Sequence, residues 1–147
     1  MVYNAYEFKM VKVNELKAKA NEPEIAAALA MEALKGELRE KAVVMTLNTK
    51  LRITGVFTVS IGTLDTSLIH SRDVFRGAIS QNAAAVILAH NRPSGDPHPS
   101  ESDKAVTNKL MQAGEILGIK FLDHLIIGDE TFYSIVAQKE MPLPCDV

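Results

Sequence analysis

The stretch Ala83-Ala84-Ala85-Val86-Ile87-Leu88-Ala89-His90-Asn91-Arg92-Pro93-Ser94-Gly95-Asp96-Pro97-His98-Pro99-Ser100-Glu101-Ser102-Asp103 decides the fold. Ala83 to Ala89 is continuously apolar, the pattern of a strand buried on both faces, and it delivers His90 at its C-terminal end. Asn91 to Pro99 then holds Pro93, Pro97, Pro99 and Gly95, so its backbone is stiffly set. Ser100-Glu101-Ser102-Asp103 opens a helix. Val106, Leu110, Ala113 and Leu117 form its apolar stripe and Gly118 its stop. A polar loop between a buried strand and an amphipathic helix is where sites are often built.

Outward from this segment, the periodicity changes several times. Ser71-Arg72-Asp73 introduces a helix with Val74, Phe75, Ala78 and Ile79 turned inward. Before it, Leu51 to Ile61 alternates. Leu51, Ile53, Gly55, Phe57, Val59 and Ile61 share one face, and Arg52, Thr54, Val56, Thr58 and Ser60 the other. With Ala42–Leu47 and the turn Asn48-Thr49-Lys50 this predicts a β-hairpin, followed by a loop at Gly62–Thr66. Further back, Asn21-Glu22-Pro23 reads as a helix start. Ile25, Ala28, Leu29 and Ala33 follow at helical spacing, and Gly36 is a stop. Glu7–Val13 is read as a strand and Asn14–Ala20 as a short helix. Downstream, Ile119–Ile127 is a strand, Gly128-Asp129-Glu130 a turn and Thr131–Val136 the last strand. The tail Met141–Val147 is expected to be loose. The sum is an α/β domain of two or three layers with a mixed sheet. One domain over 1–147 is expected, with its core at roughly 40–137 and an N-terminal strand and helix region over 1–39.

Composition narrows the function classes. The chain has 147 residues, 47% hydrophobic and 23% charged, as an ordinary globular domain does. Its net charge of −2 gives no global basic footprint for nucleic acid. Arg52, Arg72, Arg76 and Arg92 are scattered candidates for a local patch. Cys145 is the single cysteine, so no intramolecular disulfide forms and a reducing cytoplasm is expected. The longest apolar run is too short to span a bilayer, and no signal peptide or membrane partner is expected.

Several words of this sequence, in order, resemble the RadC branch of the JAMM/MPN (JAB) metallohydrolases. The frame from His90 to Asp103 is similar to the family's His-x-His-(x)10-Asp and to its His-Asn-His-Pro-Ser-Gly-Asp-Pro-x-Pro-Ser-x-x-Asp. Leu47-Asn48-Thr49-Lys50 looks like the first-hairpin turn, and Val59-Ser60-Ile61-Gly62-Thr63-Leu64 like the Ser-x-Gly-Thr-Leu element. His70-Ser71-Arg72-Asp73-Val74-Phe75 resembles His-Pro-Arg-Glu-Val-Phe. Leu122-Asp123-His124-Leu125-Ile126-Ile127-Gly128 resembles Leu-Asp-His-x-Ile-x-Gly. The resemblance covers roughly residues 40–136. It implies the MPN (JAB1/cytidine-deaminase-like) fold, a mixed β-sheet with flanking helices.

It also implies a site. In the family two histidines and the aspartate hold zinc, a glutamate from an earlier strand is the general base, and a loop serine stabilises the transition state. Residue by residue, His90 matches the first histidine, Asp103 the aspartate and Ser100 the serine. Arg92 stands at the second-histidine position and Phe57 at the glutamate. A slip of one residue around Phe57 restores no base, because Leu51 to Ile61 contains no acid. Arginine is a permanent cation and no zinc ligand at neutral pH. His98 is a possible substitute ligand, and His70 and His124 match other family histidines. Ser100 and Asp103 also read simply as a helix capping box, and Phe57 as core packing, with its ring expected where the activated water sits in relatives.

The expected function is therefore a metal-free or metal-impaired pseudo-metallohydrolase, acting as a binding or scaffolding module for a protein or peptide. The cofactor is none, or weakly bound zinc. One alternative is a zinc-dependent metallopeptidase or isopeptidase using His90, Asp103 and His98. Another, by family label only, is a DNA-repair-associated protein with nucleic acid as partner. The sequence fixes no oligomeric state. Two expectations are geometric: His90, Arg92, Ser100 and Asp103 cluster at one end of the Ala83–Ala89 strand, and Arg92 pairs with Asp103 rather than pointing into solvent.

Overall fold

The computed structural model describes residues 20–62 and 69–144. The expected strand at Glu7–Val13 and nearly all of the expected helix at Asn14–Ala20 lie outside them, as do Cys145 and most of the Gly62–Thr66 loop. Among the described residues, nine elements run in the order α1 (Pro23–Leu34), β1 (Lys41–Leu47), β2 (Ile53–Ile61), α2 (Ser71–Ser80), β3 (Ala85–Asn91), α3 (Glu101–Leu117), β4 (Lys120–Ile127), β5 (Thr131–Ser134) and β6 (Lys139–Pro142). The strands form one sheet in the order β2-β1-β3-β4-β5-β6. Only β3 and β4 pair in parallel, joined through α3. The other neighbours are antiparallel, so the sheet is mixed as expected.

Two apolar cores make this a three-layer domain. On one face, Ala26, Ala27, Ala30 and Leu34 of α1 meet Val43, Met45, Ile87, Ala89 and Leu125. On the other, Val74 and Phe75 of α2 and Val106 and Leu110 of α3 meet Val44, Val86, Leu88 and Phe121. Every residue of β3 from Ala85 to His90 is buried. That is the continuous apolar run of the sequence, sealed by helices on both faces.

The helix faces are rotated from the expected stripes. In α1 the buried residues are Ala26, Ala27, Ala30 and Leu34, while Ile25 is exposed. Small side chains let the helix approach the sheet closely, and the larger ones flank the contact. In α2, Ile79 is exposed and Gly77 is buried instead. A Cβ on Gly77 would lie 2.8 Å from the ring of Phe57, so this glycine is the seat of that ring. In α3, Leu117 is half exposed and the stripe closes at Gly114. Gly118 ends the helix in the left-handed region at φ 73°, which suits glycine.

Strict alternation in β2 also fails, and bulges are the reason. Thr46 pairs with Gly55 but Leu47 pairs with Ile53, leaving Thr54 unmatched. A second irregularity leaves Val59 unmatched between Thr58 and Ser60. Each extra residue switches the side on which the following side chains emerge. Ile53 and Val56 therefore join the α1-side core, whereas Phe57 turns to α2. Ile61, expected inward, is exposed.

Thr131–Val136 is not the last strand, and the first two residues of the expected tail belong to a further one. Ser134 to Lys139 turns the chain, with Gln138 at φ 55°, and Lys139–Pro142 returns as β6. Met141 is buried opposite Phe132. The proline sits at the end of an edge strand, where a missing donor is tolerated.

Candidate functional site

β3 carries His90 to the C-terminal end of the sheet with its ring on the α2/α3 side, and His90 is 1% exposed. The chain then leaves the sheet. The Arg92 N–H donates to the Ile127 carbonyl at 2.8 Å, and the Gly95 N–H donates to the Arg92 carbonyl at 2.8 Å, closing a turn over Pro93-Ser94. That turn aims the Arg92 side chain back toward the start of α3.

The start of α3 is a full capping box. The Asp103 N–H donates to Ser100 Oγ at 3.1 Å, and the Ser100 N–H donates to Asp103 Oδ2 at 2.8 Å. One Arg92 guanidinium nitrogen donates to the same Oδ2. The other carboxylate oxygen, Oδ1, lies 3.9 Å from His90 Nε2. His90, Arg92, Ser100 and Asp103 thus meet at one end of β3, and the capping and ion-pair readings of Asp103 hold together.

Asp103 is 1% exposed, and Arg92 22%. Burial alone would raise the Asp103 carboxyl. The Ser100 N–H, the nearby His90 ring and the Arg92 guanidinium act against it, and the carboxyl stays below its ordinary range. His90 is held at about 4, first by burial and then by the Arg92 charge, despite the opposing pull of Asp103. It is a neutral imidazole at neutral pH.

Two further residues complete the cluster: His124, named in the sequence only as matching another family histidine, and Thr107, which sequence reasoning passed over. His124, the last residue of Leu122-Asp123-His124 on β4, is fully buried, and its Nε2 lies 2.8 Å from His90 Nδ1. Its Nδ1 lies 2.8 Å from Thr107 Oγ1. The signal for Thr107 was its position four after Asp103, one helical turn along the same face. For His124 it was the alternation of β4, which sends Asp123 and His124 to opposite sides of the sheet.

His98 is not brought to the site. Its ring nitrogens lie 2.7 Å from Asp96 and 3.2 Å from Glu140 of β6, and it is well exposed. It does not replace the missing ligand in this arrangement. His70 is exposed at the start of α2. Phe57 is buried on the same face as His90. Through Val44 it is level with Leu88, one side-chain step short of His90. Its ring leans on Gly77. Val56 faces the opposite core, so Phe57 rather than Val56 occupies the position from which a β2 side chain faces the site side.

A family model described as the RadC-like JAB domain matches residues 20–141. The chain belongs to the RadC-like JAB domain family. The match begins ahead of the quoted motifs and includes α1. A UPF0758 protein of Desulforudis audaxviator is 52% identical over 113 residues, 77% of this chain and 49% of that protein. One from Clostridium kluyveri is 49% identical over 113 residues, 77% of this chain and 50% of that protein. One from Moorella thermoacetica is 50% identical over 113 residues, 77% of this chain and 49% of that protein. The chain therefore spans about half the length of the curated relatives it matches.

The donor set can be tested against the zinc that the fold implies. Two ligands of one tetrahedral zinc are about 3.4 Å apart when each bond is about 2.0–2.1 Å. His90 Nε2 and Asp103 Oδ1, at 3.9 Å, nearly meet that. The third position does not, because Arg92 offers no lone pair and places a cation on the aspartate. Among the described residues no three His, Cys, Asp or Glu side chains converge as metal donors. The residues present do not fit a catalytic zinc. No described helix is long and apolar enough to cross a membrane.

Proposed function

We propose that this chain is a RadC-like JAB domain working as a pseudo-metallohydrolase, a binding or scaffolding module for a protein or peptide in the cytoplasm. One observation carries the reading: the Arg92 guanidinium pairs with the buried Asp103 carboxylate, so a fixed side-chain cation performs the charge balance that a metal performs in an enzyme of this fold. The buried Phe57 supports it from the other side, since it brings no proton acceptor to the site face. Nucleic acid is the weaker reading. Of the scattered arginines, Arg92 is engaged with Asp103 and Arg76 lies 3.9 Å from Asp73.

The metallopeptidase reading has a specific observation of its own, the near-ligand spacing of His90 and Asp103. Metal content and hydrolysis separate the two. The purified protein is expected to carry far less than one zinc per chain by elemental analysis. Arg92→His is expected to gain zinc affinity, and only Arg92→His with Phe57→Glu to gain hydrolysis of a peptide that a chelator then abolishes. Stoichiometric zinc in the unmodified protein, with chelator-sensitive hydrolysis, would return it to the enzymes.

A further inference from the structure

His90, His124 and Thr107 form an unbroken line of buried polar atoms beneath the loop, and the hydrogens along that line can be counted. Thr107 Oγ1 lies 2.9 Å from the Asp103 carbonyl oxygen and 2.8 Å from His124 Nδ1. A carbonyl only accepts, and a hydroxyl has one hydrogen. If that hydrogen goes to the carbonyl, Oγ1 accepts from His124, whose proton is then on Nδ1. Both rings are buried, at 1% and 0% exposure, and burial favours the neutral imidazole. A neutral imidazole protonated on Nδ1 has a bare Nε2. His124 Nε2 lies 2.8 Å from His90 Nδ1, so His90 donates there and its own Nε2 is bare.

The line can also run the other way. Thr107 would donate to His124 Nδ1, His124 Nε2 to His90 Nδ1, and a His90 Nε2–H would face Asp103 Oδ1. This direction forms two hydrogen bonds along the line instead of three, and the Thr107 hydrogen no longer reaches the Asp103 carbonyl. It also leaves an N–H 3.9 Å from a buried carboxylate oxygen. A bond of that kind closes to about 2.7–2.9 Å when it forms. The count and the open gap both favour the first direction.

We propose that Thr107 and His124 are positioning residues that hold His90 in its Nδ1–H tautomer, so that the Nε2 lone pair is presented toward Asp103 Oδ1. Metal-binding histidines are oriented by just such a donated ring N–H. The orienting line stands whether or not the domain works as a binding module.

Long-range 1H–15N correlation of the histidine rings in the full, uniformly labelled chain reads the tautomers directly, with signals assigned through His90→Gln and His124→Gln. Both buried rings are expected to show a protonated Nδ1 and a bare Nε2. Thr107→Ser is expected to keep this pattern. Thr107→Val, close in shape, removes the acceptor of His124 Nδ1–H and is expected to give averaged signals from two tautomers at His90. A protonated Nε2 on His90 in the unmodified protein overturns the proposal, whatever the variants do. An unchanged tautomer in a folded Thr107→Val variant removes Thr107 from the role.

Discussion

Asp103 and Asp123 are both buried carboxylates, on opposite faces of one sheet, and their environments push them in opposite directions. Asp123 is well supplied with neutral donors. Ser134 Oγ donates to its Oδ2 at 2.5 Å, and the N–H groups of His124 and Val136 donate to its Oδ1 at 2.7 and 3.1 Å. Burial nevertheless prevails there, and its carboxyl is raised. Asp103 has one backbone donor and a guanidinium, and its carboxyl is lowered. Three neutral hydrogen bonds do not offset burial at Asp123, whereas at Asp103 the Ser100 N–H, the nearby His90 ring and the Arg92 guanidinium together do. The Arg92 cation at the end of β3 is a contributor to the site's charge state that Asp123 lacks.

The comparison is broken most sharply by removing that cation. Arg92→Met strands a buried carboxylate and is expected to lower unfolding stability by about 3–5 kcal/mol, read from urea denaturation at pH 7. Adding Asp103→Asn is expected to restore part of the loss, because no charge is then left unpaired. A single variant as stable as the parent would mean that water balances Asp103, and the contrast with Asp123 would disappear.

The next effect is read in pH. His90 binds its proton more weakly folded than unfolded, so its contribution is complete above the unfolded pKa of about 6.5 and is lost as pH falls toward about 4. Over that range the loss approaches about 3 kcal/mol. His124, also lowered, adds to it in the same direction. His90→Gln is expected to flatten the decline between pH 7 and pH 5. An equally steep decline in the variant would assign the acid sensitivity elsewhere.

The smallest effect sharpens the other half of the comparison. Ser134→Ala removes one neutral donor from Asp123 and is expected to cost about 1–3 kcal/mol. Asp123 has the opposite sign from Asp103. Its folded pKa is raised, so the folded state holds its proton longer and stability declines as pH rises from about 3.9 through the raised value. Ser134→Ala is expected to carry that decline to higher pH, seen as a shifted acid-side maximum in the stability profile.

Much of this was legible in the residues. The apolar run before His90 marked the central strand, because only a strand covered on both sides can be apolar throughout. Ser100 and Asp103 marked the helix start, and the distance between His90 and Asp103 in sequence matched their meeting in space. What alternation alone could not reveal was the pair of bulges in β2, since an unmatched residue leaves no mark in composition. The wrong faces assigned to Ile53 and Ile61 follow from that. Ile79 and Leu117 misled for a different reason. Glycine packs inward where a neighbour's ring or backbone needs the space, and a hydrophobicity pattern has no sign for a residue without a side chain. The link from His90 to Thr107 escaped because it joins two elements through a third, and parallel pairing of β3 with β4 is not written in either strand.

The bulges in β2 have a consequence for the molecule's surroundings. Among the described residues β2 is an edge of the sheet and β6 the other, and an edge strand offers unpaired N–H and C=O groups to any extended chain that drifts past. A straight edge of nine residues would be a template for open-ended strand stacking. Unmatched residues at Thr54 and Val59 twist this one out of register at two points. The opposite edge, β6, is four residues long and ends in Pro142, which has no N–H to offer. Two edges blunted in this way work against open-ended strand stacking at high concentration.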